Sequence, residues 1–185
     1  RIAWTLDNIS RVCVSFSGGK DSTIMLHLTA QQARKMGKKI SVLFIDWEVQ
    51  FTYTIQHVNN MMAQYADVID QCWWVALPLT TQNGLTQFNP EWQCWEPGKQ
   101  WVRQPPEGAI TDPAYFDFYQ PGMTFEAFVR AFSEWFAANR PAAMLVGIRA
   151  DESYNRFLTI ANARKRRFAD DKPWTSASPG GHAWY

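Results

Sequence analysis

Arg11-Val12-Cys13-Val14-Ser15-Phe16-Ser17-Gly18-Gly19-Lys20-Asp21-Ser22 is the stretch on which the fold turns. Arg11 to Phe16 is a short apolar run, the pattern of a strand covered on both faces, and it leads directly into two adjacent glycines. After Ser22 the apolar positions Met25, Leu28, Ala33 and Met36 share one face at helical spacing, and Gly37 is a natural stop. Strand, glycine loop and helix in that order provide what an oligophosphate needs. Gly18 and Gly19 let peptide N–H groups approach phosphate oxygens, and the new helix adds unpaired N–H groups and the positive end of its dipole. Ser17 and Ser22 can donate hydroxyl hydrogen bonds, Lys20 brings a mobile positive charge, and Asp21 can cap the helix or help to hold Mg²⁺. The loop is not a Walker A motif, in which four residues separate the glycines and a Lys follows the second.

Working outward, Ile40 to Ile45 reads as a second strand, and Ile55, Val58, Met62 and Tyr65 repeat the helical spacing. Val68 to Leu77 supplies a third strand. From Pro78 to Gly122 the periodicity fails in a segment rich in Pro, Gly, Trp and Gln, a length of irregular chain that is usually functional. Helical spacing returns with Phe125, Phe128, Val129, Phe132 and Phe136 and stops before Pro141. The strand Ala142 to Val146 then feeds Gly147-Ile148-Arg149-Ala150-Asp151-Glu152-Ser153, where a further helix is expected to start with Phe157, Ile160 and Ala161 inward. The tail from Lys172 reads as loop, with its turn at Ser178-Pro179-Gly180-Gly181. Strands alternating with helices predict an α/β fold, a Rossmann-like three-layer sandwich around a mostly parallel sheet with right-handed crossovers. The expected organisation is a nucleotide-binding domain from 1–77 and 123–170, a Trp/Pro-rich insertion at 78–122 and a tail at 171–185.

Composition narrows the functional classes. Formal net charge is +1 over 185 residues, so there is no strong overall field for nucleic acid, although Arg164, Lys165, Arg166 and Arg167 form one basic cluster followed by Asp170 and Asp171. That cluster reads first as a solvated helix end and second as an anion or nucleic-acid surface. The three cysteines, Cys13, Cys72 and Cys94, match neither a CxxC pair nor a zinc site, which favours a reduced, cytoplasmic setting. No apolar run reaches the ~20 residues of a membrane span, and no signal-peptide pattern is present. The ten tryptophans, many of them between Trp73 and Trp135, are expected to line a surface or cleft. A chain that opens on Arg1 and stops at Tyr185 reads as a fragment.

A second constellation joins the first. Gly147 at a strand end leaves room for a ligand, Arg149 and Arg156 can converge as bidentate partners of phosphate or sulfate, and Glu152 can orient one of them or bind the metal. Both segments follow predicted strands, and open α/β sheets bind ligands at the carboxyl ends of their strands. Asp46, in Phe44-Ile45-Asp46-Trp47-Glu48, lies at the same edge, either beside the ligand or as a strand-end turn carboxylate. His27 reads as a packed helical histidine, His57 and His182 lack partners at metal spacing, and Cys94 is left without a role.

Ser15-Phe16-Ser17-Gly18-Gly19-Lys20-Asp21-Ser22, continuing Met25-Leu26-His27-Leu28, resembles the PP-loop of N-type ATP pyrophosphatases. The resemblance is greatest to the phosphoadenosine phosphosulfate (PAPS) reductase and ATP sulfurylase small-subunit family, of the adenine nucleotide alpha-hydrolase-like fold. Gly147 to Ser153 with Arg156 resembles the second signature of that family. The resemblance implies that Ser15, Ser17, Gly18, Gly19, Lys20, Asp21, Ser22, Asp46, Gly147, Arg149 and Glu152 lie around ATP or a related adenine nucleotide. It further implies Mg²⁺ near Asp21, with Lys20, Arg149 and Arg156 acting in catalysis. Where relatives often have Thr or Gly after the Asp, this chain has Trp47-Glu48. True PAPS reductases have an altered loop and a C-terminal Glu-Cys-Gly-x-His motif, neither of which is found here; the intact loop resembles that of enzymes that cleave ATP to AMP and pyrophosphate and adenylate an acceptor.

Two other readings stay open. One is a nucleotide-binding regulator with little turnover, since the resemblance extends to PAPS-reductase-like proteins of the immunoglobulin-binding regulator A type, commonly paired with a ParB-like partner. The weaker one is PAPS reduction or sulfur transfer to nucleic acid.

Overall fold

The computed structural model describes residues 1–82, 88, 90–149, 151–161, 166–168 and 174–185; within its last helix nothing is said of the side chains of Asn155, Thr159 and Ile160. Chain order is α1 (Ile2–Asn8), β1 (Arg11–Ser15), α2 (Lys20–Met36), β2 (Ile40–Ile45), α3 (Thr52–Gln64) and β3 (Ile69–Val75). A small hairpin, β4 (Thr80–Gln82) and β5 (Glu91–Gln93), and a 3₁₀ turn (Pro113–Tyr115) follow. The chain ends with α4 (Phe125–Ala137), β6 (Ala142–Val146), α5 (Tyr154–Ala161) and β7 (Ala183–Trp184). The five-stranded main sheet has the order β3-β2-β1-β6-β7, and every pair in it is parallel.

Why the strands read as continuous apolar runs is visible in how their side chains divide. Val12, Val14, Val42, Phe44, Trp74 and Ala143 face one core with Leu6, Leu26, Ala30, Ala33, Val58 and Tyr65 of the α1–α3 side. Cys13, Leu43, Ile45, Trp73, Val75 and Met144 face the other, where Phe128, Phe132 and Phe136 of α4 are buried. Alternate residues of one strand thus serve opposite layers, and both sheet faces are covered. This is the expected Rossmann-like α/β sandwich. No helix among the described residues is long and apolar enough to cross a membrane.

Several details differ from expectation. In α2 the buried residues include Leu26, Thr29, Ala30 and Ala33, and the expected Met25 and Met36 pack against the same core, while Leu28 is 47% exposed; of the expected inward residues only Leu28 lies off the buried face. In α5 the expected inward residues Phe157 and Ala161 are exposed, so this helix lies on the surface, and the side chain of Ile160 is outside the described residues. Helix α1 has too few residues to register as a period, yet Leu6 is buried.

The 78–122 segment is more ordered than its composition implied. Its hairpin pairs Thr80 with Gln93, and Ile110 forms a parallel bridge to Val75, with the Ile110 N–H donating to the Trp74 carbonyl at 2.8 Å. This contact covers part of the β3 edge that would otherwise be open for pairing. Trp73, Trp74 and Trp95 are buried in the cores and do not line a surface. The tail also departs from the loop reading: Ala183 pairs with Ala142, adding β7 to the sheet. Lys172 lies outside the described residues.

Candidate functional site

The sheet reverses direction of growth at β1. From β1 the chain steps to β2 and β3 on one side and returns as β6 on the other, and in the register Ser15 pairs with Val146. The loops after these two residues therefore leave the sheet side by side at its carboxyl end, the crevice where open α/β sheets bind ligands. Sequence reasoning placed both motifs at strand ends; their adjacency follows from strand order, which no local pattern states.

Contact between the two segments is tight at one point. A methyl group at Gly147 would lie 2.7 Å from the Asp21 carbonyl oxygen and 2.8 Å from the Ser22 nitrogen, so the chain after β6 presses its backbone on the first turn of α2. Across the loop, Gly18 has φ +77°, and a side chain there would meet Thr54 Cγ2 at 2.9 Å and Val58 Cγ2 at 3.3 Å. Helix α3 thus backs the loop and Gly147 flanks it, and glycine satisfies both positions for different reasons: left-handed backbone at one, close approach at the other.

The loop is also braced from within. Ser22, 5% exposed, donates to the Gly19 carbonyl at 3.0 Å, accepts from the Ser17 N–H at 3.2 Å, and lies 3.0 Å from the Ser17 hydroxyl. Ser22 is therefore a brace for the turn. Ser17, Gly19 and Lys20 are exposed at the mouth, Ser15 and Asp21 are half-buried, and Gly19 is the extended residue before α2. No side chain caps this helix start, which leaves its first N–H groups without a side-chain acceptor, a condition that favours anions. Among the described residues no group of three or more His, Cys, Asp or Glu is placed to hold a metal. Asp21 is the acidic residue of that first turn, which fits a Mg²⁺ that comes bound to substrate phosphates and takes one or two carboxylates from the protein.

The arginine segment is open to solvent and paired with itself. Arg149 Nε donates to Asp151 Oδ1 at 3.0 Å and its Nη2 to Oδ2, a two-pronged pair; Glu152 Oε2 accepts from the Arg149 N–H at 3.1 Å and from Arg156 Nη1. The hydrogen bond from Arg149 holds the Asp151 carboxyl below the usual range, with the Lys20 charge contributing less. That same bond, followed by the Asp151 charge and, more weakly, Asp21, holds the Arg149 guanidinium above its ordinary value. The arginine segment and the glycine loop therefore share one electrostatic field. Ala150 lies outside the described residues.

Asp46 is placed differently. Its side chain is fully buried: Oδ2 accepts from the Trp74 indole N–H at 2.9 Å, while Oδ1 accepts from the Glu48 N–H at 3.1 Å and from Arg103 Nη2. Glu48, 6% exposed, accepts from the Trp95 N–H at 2.7 Å and the Val102 N–H at 3.0 Å, and the Trp95 indole donates to the Asp46 carbonyl at 2.6 Å. Asp46 and Glu48 are thus the anchor for residues 95–103. Arg103 and Glu48 were not singled out from sequence; an acidic pair at a strand end followed by a long insertion was the only available signal.

The remaining residues take bland roles. Cys94 is buried, its thiol 3.4 Å from the Leu77 carbonyl and 3.5 Å from that of Leu79, and burial pushes its pKa up to about 11. Nothing activates it as a nucleophile. His27 contacts the Tyr65 hydroxyl and His57 the Thr23 hydroxyl, at 2.9 Å for the latter. His182 pairs with Glu134 at 3.2 Å. Of the basic cluster, Arg164 and Lys165 are outside the described residues, and the Arg166 guanidinium lies 5.5 Å from the Trp184 ring centre.

Residues 11–170 match the family model for the phosphoadenosine phosphosulfate reductase domain. The chain belongs to this family. It is 70% identical over all 185 residues to an uncharacterized protein of Escherichia coli (strain K12), YbdN, and covers 46% of that protein's length. A 54-residue stretch, 29% of the chain, is 43% identical to 11% of uncharacterized protein MJ0066 of Methanocaldococcus jannaschii. The chain thus spans just under half of the relative that it matches from end to end.

Proposed function

We propose that this domain binds ATP, with its phosphates on the Ser17–Ser22 PP-loop, and cleaves it to AMP and pyrophosphate while transferring AMP to an acceptor. The observation that supports this reading is the packing of Gly147 on Asp21 and Ser22, which sets the start of the arginine segment beside the glycine loop. In the proposed reaction an acceptor oxygen attacks the α-phosphorus and the α–β bridging P–O bond breaks. Its electron pair stays on the departing pyrophosphate; an acceptor that carries a proton gives it to water, and a fully ionised acceptor such as sulfate has none to give. The protein contributes mainly position and charge: Lys20 and the exposed loop N–H groups hold the β- and γ-phosphates, while Arg149 and Arg156 place the α-phosphate or an anionic acceptor. Mg²⁺, when bound with the nucleotide near Asp21, neutralises charge on the leaving group.

The test is ATP labelled in its α-phosphate, supplied with Mg²⁺ and with or without sulfate. Pyrophosphate release above background, with the label recovered as an acceptor–AMP adduct or, where water is the acceptor, as AMP, and lost in Lys20→Ala, is the expected result. Tight binding without release removes adenylation and leaves the regulator reading, to which a ParB-like partner belongs. If Lys20→Ala and Gly147→Ala both bind ATP as the unmodified chain does, the crevice is not the nucleotide site.

A further inference from the structure

The two-pronged Arg149–Asp151 pair is a site already filled by an anion. Arg149 presents the planar fork that matches phosphate or sulfate, and two residues along the chain a carboxylate occupies that fork through both of its oxygens. Glu152 does not do the same work: it holds the Arg149 backbone N–H and the Arg156 side chain, and so shapes the turn. Both partners of the Arg149–Asp151 pair are open to water, with side-chain exposures of 49% and 66%, so parting them requires no rearrangement of the core. Asp151 also lies within the field of Lys20, and Arg149 within that of Asp21.

From this geometry we infer that Asp151 is a tethered competitor for the oxyanion that Arg149 receives, and that it restricts the crevice to multiply charged oxyanions. The inference rests on the proposed reading of the site. A carboxylate held two residues away has an effective concentration in the millimolar range, as expected for short tethers. A free monocarboxylate gains nothing by replacing it. A polyphosphate held at the same time by Lys20 and the loop N–H groups does gain, because its further charges are engaged elsewhere in the crevice. As the group held by Arg149 leaves, Asp151 returns to the arginine.

Calorimetric titration of the 185-residue chain with inorganic pyrophosphate, ATP plus Mg²⁺, and acetate tests this. Asp151→Asn is expected to tighten ATP plus Mg²⁺, whose α-phosphate Arg149 receives, by about two- to fivefold, the range of an exposed ion pair, and to make acetate binding detectable. Removal of a negative charge near Lys20 would by itself favour any anion, so the same substitution is repeated in an Arg149→Ala background. There the gain must vanish, since the competitor has lost its target. Equal gains in both backgrounds, or unchanged or weaker ATP binding in Asp151→Asn, overturn the inference while the site reading stands. If the unmodified chain binds neither pyrophosphate nor ATP, both fall together.

Discussion

Two strand ends at the same edge of the sheet carry similar residues and put them to opposite uses. After β2, Asp46 meets Arg103 and Glu48 accepts from the Trp95 and Val102 N–H groups; after β6, Asp151 and Glu152 meet Arg149 and Arg156. The first set is sealed. The Asp46 side chain is 0% exposed and that of Arg103 is 23% exposed, whereas Arg149 and Asp151 are 49% and 66% exposed. Burial decides what a charge can do, because an ion pair in a dry setting is costly to break while one in water is almost free to exchange. The β2 end therefore holds the insertion in place, and the β6 end is available to a ligand.

The largest expected effect is on the sealed side. Asp46→Ala leaves Arg103 facing a buried cavity and the Trp74 indole N–H without its acceptor, and should cost about 3–5 kcal/mol of stability, measured by urea denaturation. Loss of less than about 1 kcal/mol would show that the pair is not desolvated. Glu48→Ala is next: it frees the buried Trp95 N–H, worth about 1–3 kcal/mol when left unpaired, and the more open Val102 N–H. Its selective consequence is loosening of 95–103, which faster amide exchange at Trp95 and Val102 would report.

These differences mark how far the sequence could be read. Strand β2 was bounded correctly as Ile40 to Ile45, and β1 and β6 to within a residue, because buried parallel strands leave unbroken apolar runs. The crevice was legible as two motifs at strand ends. The burial of Asp46 and the exposure of Asp151 were not legible, because local sequence reports residue type and spacing while burial comes from distant chain. The Arg103 that closes over Asp46 is 57 positions away. The strand β7 was equally invisible, since a two-residue strand has no period and exists only because β6 presents an edge to it.

On the open side Arg149→Ala should leave stability within about 0.5 kcal/mol of the parent, as exposed positions do, yet weaken ATP by roughly tenfold, the worth of one charged hydrogen-bond set. Denaturation and calorimetry on the same protein give both numbers. A large stability loss with unchanged binding would reverse the roles assigned to the two strand ends.

The smallest effect uses Cys94 as a reporter inside the sealed region. Burial is the main reason that its pKa stands at about 11, and the negative charges of Glu48 and Asp46 add to it. Cys72 is also raised to about 11 by burial, and Cys13 is raised well above its ordinary value. A thiol raised on folding stays protonated while its unfolded counterpart ionises. Stability should thus be constant below the ordinary thiol value of 9.0 and fall as pH rises from there to about 11. Glu48→Gln keeps the shape of the side chain but removes its charge, so the Cys94 thiol should titrate slightly lower and react somewhat faster with iodoacetamide at pH 9. Arg149→Ala should leave that rate unchanged. Equal acceleration by both substitutions would mean that the two strand ends share one loosening motion, and the contrast between a sealed anchor and an open anion site would fail.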